Sequence, residues 1–170
     1  MREIRSVNNT LKLYELEPEV AGGFGENTVV SNYDAVRAKQ ERAVVVHLHY
    51  EFSGWLGDEI LETTPCFIIT ESLACSIQKS DLKGYILDDV EISVTEEFEE
   101  LYPEIVLPKF WRIIPQGTVE VNGKYFRNWS EDDFCLSQKS VLVVSEKALA
   151  VLKKNKLDYC DITALEVLNS

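Results

Sequence analysis

The sequence predicts an α+β fold in which a mixed, mostly antiparallel sheet carries a few short helices. Several short segments are rich in β-branched and aromatic residues and alternate in polarity, which is typical of strands. Only three stretches combine a helix cap with a following helical pattern. The 170 residues are 45% hydrophobic, which suffices for one continuous core. We therefore predict a single domain over 1–170, with its core in 43–165 and an N-terminal strand and loops in 1–42.

The first half of the chain predicts four strands and two helices. Thr70 and Thr95 each precede glutamate, and a hydroxyl cap followed by an acid at the positive end of the helix dipole is a start signal. We expect helices over 71–79 and 96–102, the second ended by Pro103. The glycines of 22–25 predict a loop. The predicted strands are 10–16, 43–52, 66–69 and 85–94.

The second half repeats these signals and adds a hairpin. Alternating runs on both sides of Asn122-Gly123 predict a hairpin over 118–126, because both turn residues tolerate positive φ. Ser145 predicts a helix over 146–155 by the same cap logic. The predicted strands outside the hairpin are 109–114, 140–144 and 158–165.

Two segments of the chain match without gaps at an offset of 75 residues. Residues 67–82 align with 142–157, which places Thr70 on Ser145 and Glu71 on Glu146. A duplication would produce this match, and so would two independent capped helices, since caps and dipoles select the same residue types. Either origin predicts two strand–helix–strand units.

The charge, hydropathy and cysteine spacing of the chain restrict its partners and its compartment. The net charge is −12, which disfavours duplex nucleic acid, because binding phosphates needs clustered Lys and Arg. No apolar run reaches the length of a membrane helix, and the N-terminus shows no secretory leader. The four cysteines contain no C-x-x-C pair, so we expect reduced thiols in a cytoplasmic protein.

The negative charge is concentrated in the middle of the chain. Residues 43–108 contain fourteen acidic and two basic side chains, and eight acids without a base lie in 88–104. Such a field attracts a basic partner, although it is also what a solvated helix face looks like. An exposed tryptophan beside carboxylates would add a contact. The candidate partner-binding residues are Trp55, Asp58, Asp88, Asp89, Glu91, Glu96, Glu97, Glu99 and Glu100.

A metal site is the alternative function. The two histidines of the chain are His47 and His49, and strand periodicity places both on one face with Glu51. Two imidazoles and a carboxylate are ligands for zinc or iron. No nucleophile motif such as G-x-S-x-G is present, so we predict no catalytic residues and no cofactor.

Several motifs together resemble a known group of proteins. They are the run from His47 through Glu51-Phe52 to Gly54-Trp55-Leu56-Gly57-Asp58, then PCFIITESL at 65–73, DDVEI at 88–92, LPKF at 107–110 and LVVSEKAL at 142–149. This pattern is similar to that of small bacterial proteins which look like immunity proteins of polymorphic toxin systems. The resemblance implies a cytoplasmic protein that neutralises a cognate toxin by binding it. It supplies no catalytic residues, and an acidic surface suits a basic toxin. Independently of the resemblance, we expect a monomer or a homodimer, because strand edges exposed at the hairpin could pair two chains.

Overall fold

The computed structural model describes residues 11–168. Strands account for 42% and helices for 17%, which confirms a strand-rich fold with few short helices. The strands are β1 Lys12–Glu17, β2 Gly22–Phe24, β3 Val29–Val30, β4 Val45–His47, β5 His49–Phe52, β6 Ile60–Thr63, β7 Cys66–Thr70, β8 Tyr85–Asp88, β9 Glu91–Val94, β10 Phe110–Pro115, β11 Gly117–Asn122, β12 Tyr125–Arg127, β13 Phe134–Ser137, β14 Leu142–Ser145 and β15 Asp161–Val167. The helices are α1 Tyr33–Arg37, α2 Glu71–Lys79, α3 Glu96–Leu101 and α4 Glu146–Leu152.

Six strands close into a barrel in the order β1-β14-β13-β11-β12-β15. Two pairs are parallel, β11 with β13 and β12 with β15, and the other neighbours are antiparallel. A four-stranded antiparallel sheet has the order β6-β7-β10-β8, and smaller sheets join β2-β5-β9 and β3-β4. The first strand is part of the barrel and buries Leu13 and Leu16, so the core extends beyond the predicted 43–165 into the N-terminal strand.

Four barrel strands repeat the four-stranded sheet. The order β13-β14-β1-β15 matches β6-β7-β10-β8 in pairing and direction. Arg112 lies opposite Ile68 and Asp88, and Glu15 lies opposite Val143 and Thr163, so the offset of 75 extends into the strands after the helices. Helix caps alone do not impose this register. The match therefore reflects a repeated fold unit. Each unit has an opening strand that precedes it in the chain, β1 for the first unit and β10 for the second. The units exchange these strands, because β1 pairs with β14 and β15 of the second unit and β10 pairs with β7 and β8 of the first.

At the start of each capped helix of the repeat, a carboxylate ties one repeated unit to the other. Asp133 accepts hydrogen bonds from the Ser145 hydroxyl at 2.6 Å and the Lys83 amide at 2.8 Å. Glu59 accepts the equivalent bonds from the Thr70 hydroxyl at 2.7 Å and the Lys156 amide at 3.0 Å. Each carboxylate thereby joins the cap of one helix to the chain that follows the other helix.

Residues 11–168 form three buried apolar clusters. The barrel interior is packed by Leu13, Val119, Val121, Phe126, Cys135, Val143 and Leu165. Alternation along β7 sends Phe67 and Ile69 toward helices α2 and α4 and the barrel, and Cys66 and Ile68 toward the sheet that contains β5. The four-stranded sheet is therefore covered on both faces, as its apolar sequence requires.

The capped helices and the hairpin follow local signals closely. Helix α2 has its predicted bounds, and the Thr70 hydroxyl accepts the amide of Leu73. Ser145 and Thr95 cap their helices in the same manner, although both helices end earlier than predicted. The hairpin is present, but Asn122 pairs with Tyr125, so its turn is Gly123-Lys124.

The structure corrects three strand and loop assignments. The predicted loop at 22–25 contains β2, because Gly22 approaches β5 so closely that a Cβ would lie 1.9 Å from the Glu51 carbonyl oxygen. The predicted strand 43–52 breaks at Leu48 into β4 and β5, and 85–94 breaks after Asp88 into strands of different sheets. Strands β3, β6 and β13 and helix α1 were not predicted, and Thr10 lies outside the described residues.

Candidate functional site

The acidic helix α3 projects its carboxylates outward because one residue anchors it. Phe98 is only 3% exposed and packs with its ring centroid 6.3 Å from that of Phe52. The Thr95 hydroxyl accepts the Phe98 amide at 3.1 Å and starts the helix. The remaining positions face solvent, and we call the exposed acids of this segment the acidic rim: Glu96, Glu97, Glu99, Glu100 and Glu104.

An apolar groove lies directly beside the acidic rim. It has a volume of about 310 Å³ and is lined by Val94, Phe98, Glu99, Tyr102, Pro103, Ile105 and Leu107. Leu101 and Val106, which adjoin lining residues in the chain, have 61% and 89% of their surface exposed. Protein-binding patches typically combine solvent-exposed apolar side chains with a charged rim.

The predicted acidic stretch does not form one surface. Asp88 and Asp89 are exposed but precede β9, whereas the acidic rim follows it. A strand of four residues spans roughly 13 Å, so these two aspartates lie at the far end of β9 from helix α3. Glu91 is half-buried, and its carboxylate is occupied by His47 and Asn27. The candidate contact surface is therefore the acidic rim and its groove.

Trp55 and Asp58 both contribute to packing within the fold, and Trp55 is half-buried. The Trp55 indole donates to the Asp58 carbonyl at 2.9 Å, and its ring packs edge-on against Phe52 and Phe110. Asp58 is fully buried, and its carboxylate accepts the amides of residues 158 and 159 at 2.9 and 2.7 Å. A buried carboxylate with these bonds cannot contact a partner, so the predicted role of Asp58 at the contact is wrong.

The histidines do not assemble the predicted metal site. The break at Leu48 leaves His47 exposed and His49 buried, and Glu51 contributes no bond to either ring. Glu91 instead accepts a hydrogen bond from His47 Nε2 at 3.0 Å, and its other oxygen lies 3.9 Å from His49 Nδ1. Within residues 11–168, no group of three or more His, Cys, Asp or Glu side chains is placed to hold a metal ion.

His49 is held in one tautomer by its neighbours. The backbone amide of Asn27 donates to Nδ1 at 3.2 Å, so the ring proton is on Nε2, which lies 2.6 Å from the Ser93 hydroxyl. A donor at Nε2 cannot take the hydroxyl proton of Ser93. The Ser93–His49 contact is therefore a structural hydrogen bond between β9 and β5 rather than a nucleophile with its base.

The hydrogen bonds to Glu91 change its acidity. The bond from His47 is the largest cause that lowers the pKa of Glu91, and the bond from Asn27 adds to it. A lowered pKa keeps the carboxylate ionised, and this holds the loop at residue 27 and strands β4 and β9 together. The sequence could not identify Glu91 as the partner of the histidines, because β5 and β9 pair in parallel across more than forty residues.

The cysteines are all free. Cys66 and Cys135 are buried, Cys160 is half-buried, and Cys75 on helix α2 is exposed. Burial raises the pKa of Cys160 to about 12, with the nearby Asp58 as the next cause. That thiol stays protonated and unreactive at neutral pH.

Comparisons of the chain with protein-family models, with curated proteins and with solved structures found no match. No helix within residues 11–168 is long and apolar enough to cross a membrane. The acidic rim with its groove combines negative charge, exposed apolar area and concavity in one part of the described surface.

Proposed function

We propose that this chain is a non-enzymatic binding protein that neutralises a cognate basic toxin by direct contact. The observation that carries the proposal is the apolar groove of about 310 Å³ beside the acidic rim. A partner that fits this surface presents an apolar side chain to the groove and lysines or arginines to the rim. The resemblance to immunity proteins of toxin systems supports the same role, and a cytoplasmic location follows from it.

The groove and the rim have separate tasks in this proposal. Burial of Leu101, Ile105 and Val106 against the partner supplies the affinity, because apolar area removed from water is the main favourable term in association. The exposed glutamates accelerate encounter with a basic surface, and such steering raises association rates by about 10- to 1,000-fold at low salt. Binding should therefore depend on salt mainly through its association rate.

The experiment uses the neighbouring gene. If that gene encodes a large secreted protein, its C-terminal domain is expressed in bacteria with and without this chain. We expect growth arrest by the domain alone and rescue by the chain. A double charge reversal, Glu97→Lys with Glu100→Lys, should abolish rescue, whereas the matched control, Glu26→Lys with Glu166→Lys, should retain it; all four side chains are exposed.

The purified pair then tests the contact surface. The association rate should fall at least tenfold between about 0.05 and 0.5 M salt, and Val106→Ser should accelerate dissociation. Rescue that survives the reversal at 97 and 100, or association that ignores salt, would contradict this surface. A domain whose toxicity the chain does not relieve would contradict the proposed function itself.

A further inference from the structure

A buried arginine lies in β10 without a counter-ion. Arg112 is 7% exposed; its Nη1 donates to the Val45 carbonyl at 2.8 Å, and its Nη2 lies 3.4 Å from the Cys66 sulfur. Its Nε is buried and has no hydrogen-bond partner among residues 11–168. Nearly all buried polar groups in proteins are paired, so this guanidinium has donor capacity that the described fold leaves unused.

No carboxylate of the described chain neutralises Arg112. Asp88 is its neighbour across β8 and β10, yet none of the ion pairs within 4.0 Å in residues 11–168 includes Arg112. Burial raises the pKa of the Cys66 thiol, so the sulfur is uncharged. A charge removed from water without an opposite charge is costly, and a bound anion would lower that cost.

A cavity of about 260 Å³ opens beside this guanidinium. Its two charged lining residues are Arg112 and Arg42, and Arg42 donates to the Ser137 carbonyl at 3.0 Å. The remaining lining residues are apolar or thiol-bearing: Ala43, Val44, Val45, Pro65, Cys66, Ile113, Ile114, Pro115 and Leu136. The cavity is therefore positively charged and otherwise apolar, in a chain whose net charge is −12.

We propose that this cavity binds a small organic carboxylate with a short apolar tail. The planar guanidinium matches a carboxylate in geometry and charge, and the aliphatic walls favour a hydrocarbon tail over water. Cations are repelled by the two arginines, and a phosphate would leave most of the wall without polar partners. The volume lies near the lower end for ligand pockets, which sets the size of the ligand. The cavity shares no residue with the acidic rim or its groove.

The test measures binding of acetate, butanoate, hexanoate and inorganic phosphate to the purified full chain by calorimetry and thermal shift at constant ionic strength. Hexanoate should bind saturably with Kd below about 1 mM and at least tenfold more tightly than acetate, because each buried methylene adds affinity. Arg112→Met should weaken hexanoate binding at least tenfold and Arg42→Gln several-fold. Arg127→Gln, which removes an exposed arginine paired with Glu120, should change nothing.

A second variant keeps the test valid if Arg112→Met does not fold. Ala43→Phe fills the cavity and leaves the guanidinium in place, so it should abolish hexanoate binding. Unchanged affinity for hexanoate in Arg112→Met or in Ala43→Phe would overturn the proposal. So would the absence of saturable binding by any of the three carboxylates, equal affinity for acetate and hexanoate, or tighter binding of phosphate than of hexanoate.

Discussion

Replacing Ser145 by alanine removes two hydrogen bonds that meet at the start of helix α4. The hydroxyl accepts the Ala148 amide at 3.1 Å and donates to Asp133 at 2.6 Å. Loss of an N-cap costs about 1 kcal/mol. A bond to an ionised group contributes about 1.5 kcal/mol at the lower end of its range, which suits a half-buried carboxylate that keeps its bond to Lys83. We expect Ser145→Ala to lower the free energy of unfolding by roughly 2–2.5 kcal/mol.

Urea unfolding followed by tryptophan fluorescence and circular dichroism measures this loss. The melting temperature should fall by about 5–8 °C for a chain of this length. The matched control is Ser72→Ala, an exposed hydroxyl on helix α2, which should change stability by less than about 0.5 kcal/mol. Thr70→Ala, at the equivalent cap, should cost as much as Ser145→Ala.

A double-mutant cycle between Ser145 and Asp133 tests the cause. If the carboxylate holds the hydroxyl, Ser145→Ala should cost about 1 kcal/mol less in an Asp133→Asn background. Thr70→Ala and Ser145→Ala belong to separate hydrogen-bond networks, so their costs should add within about 0.5 kcal/mol. A coupling of zero between Ser145 and Asp133, or a Ser145→Ala chain as stable as the Ser72→Ala control, would refute the reasoning.

Three further predictions concern the small sheet, the acidity of one carboxylate and the thiols. Gly22→Ala should lower the free energy of unfolding by more than about 2 kcal/mol and remove hydrogen-exchange protection from β2, because the added Cβ would meet the backbone of β5. Gly23→Ala is the control: its Cβ meets nothing within 4 Å, so both the stability and the protection should be retained. His47→Leu should raise the pKa of Glu91 in an NMR titration, since the hydrogen bond from His47 is the main cause that lowers it. In the wild type, the stabilisation by Glu91 is complete above its ordinary pKa of about 4.3 and is lost as the pH falls through the lowered value. Of the four thiols, only Cys75 is exposed and should react rapidly with a disulfide reagent before denaturation; a second fast thiol would contradict this.

Local signals in the sequence predict the three helices with hydroxyl caps well, and they predict the sheets and the uncapped helix α1 poorly. The bounds of helix α2 follow from its cap at Thr70 and from an apolar face that includes Leu73 and Ile77, all within one short segment. Strand 85–94 alternates correctly, yet it breaks because β8 pairs with β10 while β9 pairs with β5. Alternation specifies which face of a strand is apolar. It does not specify the neighbouring strand.

The candidate site shows the same limit. The density of acids in 96–104 was visible in the sequence, because charge density is a local property. The burial of Asp58 was not, since it depends on amides about a hundred residues away. Arg112 does have a local signal: it is the sole charged residue inside the apolar run 110–114, and a charge within a buried strand needs a partner.

The exchanged opening strands determine when the barrel can close during translation. Leu13 in β1 lies between Ser145 in β14 and Leu165 in β15, so β1 leaves the ribosome long before its two neighbours are synthesised. Strand β10 finds both of its neighbours already made. The barrel therefore closes only after β15 has been synthesised. A prematurely terminated product without β15 would display two open strand edges, on β1 and on β12, where other chains could add.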